Sequence, residues 1–346
     1  MATGGIAVLL SSTPHQFPGL QTIGKIVYIL NIVLFLCISA CLIIRFLTKC
    51  SALKESFQEP NESHFMGTCL LALATVILGA ENYGTEACGP WLQVALRIVF
   101  WIYVALSIIQ AIWHNWYLYH IRMASRQPFA LVRLLPSFPA MLTGTIASVL
   151  ASHQPRHHAL PILIGGTTFQ GFGFIMSLFI YSEYFYRLNK DGLPKASDRP
   201  EMFIAVGPWS FTALALIGMA EAAVKQFPEQ YIISYADAST SQQVSITTGD
   251  IALVLAALVA IFLWAMAAFC LCILHSASWR SVVFSEGPER RACRFHTGVL
   301  QSPAILWVGT GLTIAQVAIW LCVGVGTIWA VASRRMLWPE TGDKEA

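Results

Sequence analysis

A chain of 346 residues in which 56% are hydrophobic and only 11% charged cannot cover a water-facing surface, since soluble domains carry roughly a quarter charged residues. The composition therefore excludes a soluble globular protein and predicts an all-α integral membrane protein. The net charge of +3 is small, and no basic, aromatic-interleaved segment offers a surface for nucleic acid.

A hydrocarbon core about 30 Å thick needs roughly 20 apolar residues per helix. In chain order, complete spans are predicted near 22–46, 63–82, 90–117, 134–152, 159–187, 200–223, 248–276 and 302–332. Residues 1–11 are a further apolar run, but at about 1.5 Å per residue they reach only about half the core. Strands are not expected, because the spans are long and lack period-two alternation. All of 1–346 reads as one transmembrane domain. Of the nine cysteines, Cys37, Cys41, Cys69, Cys270, Cys272 and Cys322 lie inside apolar spans and only Cys88 in a predicted external loop, so no disulfide framework is expected.

Lys and Arg set the orientation. Arg45, Lys49 and Lys54 follow the first complete span, and the loop 83–89 has none. Arg122, Arg126 and Arg133 come next, then Arg156 alone. Arg187, Lys190, Lys195 and Arg199 follow, then Lys225, then Arg280, Arg290, Arg291 and Arg294. Every second loop is thus predicted to be cytoplasmic, with the N-terminus on that side also. The alternation fails at the end. A span at 302–332 that starts from an inside loop finishes outside, yet Arg334, Arg335 and Lys344 follow it. Either these arginines lie outside, or a crossing is missing between 277 and 301, a stretch too polar to span.

The spans alternate in texture. Those at 22–46, 90–117, 248–276 and 302–332 are bulky and suit a lipid-facing ring. The others carry Gly4, Gly5, Gly67, Pro139, Gly144, Gly207 and Pro208, residues that permit close backbone approach or break a helix. They predict an inner ring of kinked helices lining a path, with 159–187 intermediate.

Three stretches carry a resemblance: MATGGIAVLLSSTPHQFPGLQTIGKIVYIL at 1–30, NESHFMGTCLLALATVILGAE at 61–81 and RPEMFIAVGPWSFTALALIGMA at 199–220. Together they resemble the tellurite-resistance/dicarboxylate transporter family, with its slow-anion-channel-like fold, and within it the fungal malic acid transport subgroup. The resemblance covers most of 1–276 and resumes at 302–340. It implies ten helices, five kinked inner ones within five outer ones, and a homotrimer with a separate path in each protomer. A phenylalanine on the ninth helix plugs the pore in channel members. Nothing in 277–301 matches that helix, so the chain is expected to lack it, together with part of the first helix. As written it is then expected to be unstable and inactive.

The residues expected to line the path are Gly5, Gly67, Pro139, Gly144 and Pro208, with Phe65 and Thr212; close packing of helices is the alternative role for each. Lys25 and Arg97 are candidates for anion attraction, against the tendency of such side chains to snorkel toward the headgroups. Glu81, Glu221 and Asp250 stand near outer ends, and His15 and Phe17 read as structural loop residues. His153, His157 and His158 form one HxxxHH string, but iron chemistry needs several converging imidazoles and no second box exists, so no metal and no cofactor is expected. With no P-loop, GxSxG or HExxH, no enzyme is expected. The function expected is transport of malate or a related C4-dicarboxylate, with proton coupling implied by the resemblance and the plasma membrane as its site. The alternatives are a passive anion channel or sulfite efflux; a receptor or membrane enzyme; or a non-functional product.

Overall fold

The computed structural model describes residues 1–49, 56, 65–122, 131–195, 199–226, 232–236, 243–278 and 303–332. Lys54, Arg126, Arg334, Arg335, Lys344 and the polar segment 279–301 lie outside these residues.

The helices are α1 (Ala2–Ser11), α2 (Leu20–Thr48), α3 (Thr68–Cys88), α4 (Pro90–Arg122), α5 (Phe138–Leu150), α6 (Arg156–Asp191), α7 (Gly207–Gln226), α8 (Thr248–Ser278) and α9 (Pro303–Ala332). Each predicted span overlaps one of these helices. Among the described residues seven stretches are long and apolar enough to cross a membrane by length and composition alone. The exceptions are α1, with 10 residues, and α3, whose second half carries Glu81, Asn82 and Glu86. Among the described residues the one departure from an all-helical reading is a short antiparallel hairpin between α7 and α8, β1 (Ile232–Ala236) against β2 (Gln243–Thr247). It lies in a loop, where the polar, β-branched run QVSIT is free of the helical requirement that hydrocarbon imposes.

Burial reproduces the two textures. In the apolar stretch of Leu131–His153, 94% of residues are buried, and 78% in Glu201–Gln226. The figure is 11% for α2 and for α9, and 28% for α4 and α8. Exposed Ile26, Ile29, Val33 and Leu36 on α2 face outward as lipid-facing side chains should. The stretch Arg156–Asp191 is intermediate at 39%.

Long-range contacts order the helix ends. Call the end where α1 finishes the upper end. Tyr83 donates its hydroxyl to Ala7 O at 2.6 Å, so α1 and the end of α3 share that level. Gly89, with φ +76°, turns α3 directly into α4 at Pro90, a left-handed conformation that an L side chain rarely adopts. Gln226 Nε2 donates to Ala151 O at 3.1 Å and Gly249 rests on Val224, bringing the ends of α5 and α7 and the start of α8 to the same level. The lower end holds Arg133 and Arg187, both on Glu183 at 3.3 and 3.0 Å.

The last helix departs from the expected parity. His15 Nδ1 lies 2.8 Å from Thr310 Oγ1, and the imidazole stacks on Trp307. Further along α9, Val317 and Trp320 pack on Ile6, Leu10 and Leu20. So α9 starts at the upper end and descends, whereas α8 has already descended to Ser278. The start of α9 and the end of α8 are at opposite ends of the bundle, and the helix preceding Arg334 and Arg335 points toward the lower, basic end.

Candidate functional site

Two inner helices are built by the same device. A 3-10 segment, Leu131–Ser137, precedes α5, which carries Pro139 in its first turn. A second 3-10 segment, Arg199–Val206, precedes α7, whose second residue is Pro208. Proline lacks the N–H and its ring clashes with the carbonyl four residues back, so a continuous α-helix cannot run through either position. Both proline positions are buried, and both breaks fall in the lower part of the bundle.

The breaks lie side by side. Phe138 and Phe211 meet edge to face at 5.9 Å, and a Cβ on Gly207 would stand 3.0 Å from the Phe138 ring. Each break is braced by a tyrosine from a neighbouring helix. Tyr103 on α4, fully buried, donates to Pro139 O at 2.9 Å. Tyr181 on α6 donates to Ala205 O and stacks on Trp209 at 4.9 Å. Ala205 O, which would look three residues on to the N–H that Pro208 lacks, would cost several kcal/mol if left unpaired in hydrocarbon, which is why the Tyr181 phenol matters. Replacing Tyr103 by Phe removes a second, buried hydrogen bond to Pro139 O, at a cost of about 1 kcal/mol. A lower unfolding temperature in detergent is expected, and an unchanged one would show that the carbonyl finds another donor.

Above the breaks the helices cross closely. Gln170 on α6, 1% exposed, donates Nε2 to Thr212 Oγ1 on α7 at 2.9 Å. Its stem passes over Gly144 on α5, where a Cβ would sit 2.6 Å from Gln170 Oε1 and 3.1 Å from Ala215 Cβ. Gly144 and Thr212 are thus brought together through a glutamine that the sequence reading passed over. The signal was available: a lone Gln inside a glycine-rich apolar span has to find a partner.

The other expected path residues are more scattered. Gly67 is buried where α3 begins, with Gln110 Nε2 and Leu135 O at 3.2 and 3.4 Å from an added Cβ. Gly5 is half-buried, while its neighbour Gly4 takes the tight contact with Thr75 and Asn31. Phe65 is exposed below α3. Lys25 is exposed on α2. Arg97, half-buried near the upper end of α4, donates Nη1 to Gln154 Oε1 at 3.5 Å.

The inner helices are nearly free of charge. Helices α1 and α5 carry no Asp, Glu, Lys or Arg; α7 carries only Glu221 and Lys225, at its upper end; and α3 carries only Glu81 and Glu86. What they offer instead are hydroxyls and helix starts. Ser210 in the first turn of α7 and Thr145 on α5 are buried, and neither side-chain oxygen has a hydrogen-bond partner. Helix N-termini carry partial positive charge, and with Ser210 beside one of them and Thr145 about two turns above the other the interior is donor-bearing, uncharged and suited to an anion.

A lipid-facing outer ring around broken, uncharged inner helices defines a multi-pass membrane protein of the channel or transporter class. Residues 1–328 match the family model described as voltage-dependent anion channel (SLAC1), and the chain belongs to that family. It is 36% identical over 293 residues to the malic acid transport protein of Schizosaccharomyces pombe, covering 85% of this chain but 64% of that protein, so the chain spans just under two thirds of that relative's length. A second protein of the same yeast, bearing a provisional malic acid transport name, is 30% identical over 98% of this chain and 79% of its own length. The sulfite efflux pump of Arthroderma benhamiae is more distant, 23% identical over 97% of this chain and 90% of the pump.

Proposed function

We propose that this chain carries malate or a related C4-dicarboxylate anion across a membrane. The observation that carries the reading is the 36% identity to a malic acid transport protein, against 23% to a sulfite efflux pump. The inner-ring chemistry agrees with it. Around the proline breaks the inner helices carry no acid that would repel a dianion, and helix starts and hydroxyls hold it less tightly than a buried lysine would, so it can leave again.

In this reading Pro139 and Pro208 set the narrow level of the path, with Gly67, Gly5 and Phe65 toward its surfaces and Gly144 and Thr212 at the crossing above the breaks. Lys25 and Arg97 attract anions to the upper mouth. The upper end is external, because Arg45, Lys49, Arg133, Arg187, Lys190, Lys195 and Arg199 gather at the other. The unit is one domain over 1–346, assembles as a trimer in the plasma membrane, couples to protons and catalyses no chemistry. A passive anion or sulfite pathway is the second reading, favoured by the full-length similarity to sulfite pumps. Expression in a yeast lacking malate uptake decides between them. Labelled malate should enter, and sulfite tolerance should not rise; raised tolerance without malate entry would reverse the assignment.

A further inference from the structure

Glu81 is the one carboxylate among the described residues with its side chain sunk into the inner ring. It stands on α3 with 2% of its side chain exposed, and His153 Nδ1, just past the end of α5, lies 2.8 Å from its Oε1. The imidazole is half-exposed at the upper end. The two groups therefore join two different inner helices, one partner hidden and the other reaching water.

We propose that Glu81 and His153 form a proton-binding site open to the external face, which ties α3 to α5 while it holds one proton and releases them when it holds two. This rests on the reading above that the upper end is external. With a single proton between them, whether on the carboxylate or on the imidazole, the 2.8 Å contact joins a pair that is neutral overall. Removing that proton leaves a bare carboxylate in a low-dielectric interior, which is strongly disfavoured. Adding a second makes a neutral acid beside an imidazolium. The attraction is gone, and the cation, already half in water, turns outward. Histidine is the side chain whose charge changes in the mildly acidic range where this would operate.

Among the described residues no other charge competes for Glu81. Helix α1 carries none. On α2, Lys25 is exposed and Tyr28 donates to Val76 O. On α3, Tyr83 is engaged with Ala7 O, and the uncharged Thr85 hydroxyl bonds the backbone carbonyl of Glu81 close to its carboxylate; the side chain of Glu86 lies outside the described atoms. Arg97 of α4 is directed to Gln154. His157 and His158 pair with each other at the start of α6 beside exposed Arg156, and Glu221 and Lys225 of α7 are exposed.

The test uses the full chain in lipid nanodiscs, read by infrared difference spectroscopy between about pH 8 and about pH 5. Acidification should raise a carboxylic-acid carbonyl band that is lost in Glu81→Gln and shifted in frequency in His153→Gln. The second variant keeps the carboxyl, so it still reports if the first is poorly folded. A band unchanged in both variants overturns the proposal. In parallel, initial malate uptake should rise on external acidification by up to about tenfold per pH unit, the limit for one proton, and flatten in Glu81→Gln. Uptake by Glu81→Gln that follows the wild-type profile overturns the release step. No malate uptake by the wild type, with the Glu81 band present, leaves the proton site standing and refutes the transport reading instead.

Discussion

Gly166→Ala is expected to destabilise the protein severely, and Ala147→Gly to restore it. A Cβ on Gly166 would lie 2.4 Å from Ala147 Cβ, a separation that real carbon contacts do not show, so α6 and α5 would have to part. Parting costs on the order of 1–3 kcal/mol or more in a packed interior. The loss spreads further here, because α6 also touches Gly144 at 3.5 Å and Met219 at 3.1 Å from the same point. Helices in lipid gain nothing from hiding apolar surface from one another, so close packing is a main source of their association. In the double variant the methyl has moved from one helix to the other. The Met219 sulfur that remains nearby is the end of a flexible chain. Most of the monodisperse protein and most of the unfolding temperature should return, less about 1 kcal/mol for the new helical glycine. If both singles and the double elute and melt like the wild type, the α5–α6 crossing is not held by this contact.

The second large effect is expected on flux. Pro208→Leu returns an N–H to the first turn of α7 and removes the ring that forbids α-helix further back. The 3-10 segment Arg199–Val206 can then wind into α7, which withdraws the helix start from beside Phe138. Pro139→Leu should act more weakly on α5, because Pro136 still interrupts the segment before it. Malate uptake by Pro208→Leu should fall by roughly tenfold at equal surface level, a change that needs only about 1.4 kcal/mol in the barrier. Expression should hold, because leucine suits a buried helix. Undiminished uptake in both variants would remove the breaks from the path.

Much of this architecture was readable in advance. Twenty-residue apolar runs have one structural solution in lipid, and the contrast between bulky α2 and α9 and glycine- and proline-bearing α5 and α7 follows directly from which helices must approach one another. The prolines at 139 and 208 announced the breaks. Their braces were harder to foresee: Tyr103 and Tyr181 are ordinary aromatic residues until one knows which carbonyl each meets. Gln170 over Gly144 and Glu81 with His153 are likewise pairs of residues remote in sequence, invisible to any periodicity. The direction of α9 was the least legible feature. A count of basic residues detects that parity has failed, but only the contact of His15 with Thr310 says which way the helix runs. Where the breaks lie relative to a bound anion is the remaining part of the site, and the paired proline variants address it.

The docking of α9 on α1 and α2 has a consequence for biogenesis. His15 and Thr310 are 295 residues apart, and the small cluster of Ile6, Leu10 and Leu20 is completed by Val317 and Trp320. A ribosome delivers Ile6 first and Trp320 only after α2 through α8 have been inserted. Until then the short α1 has an uncovered flank within the bilayer. The closing contact therefore comes last in order of synthesis and is of high sequence separation, the kind that forms late and slowly. The nascent chain should linger in an open, ring-like intermediate, and quality-control factors would meet it there. Lesions at His15, Trp307 or Thr310 should accordingly be seen first as a longer-lived precursor and faster turnover, before any defect in the mature protein.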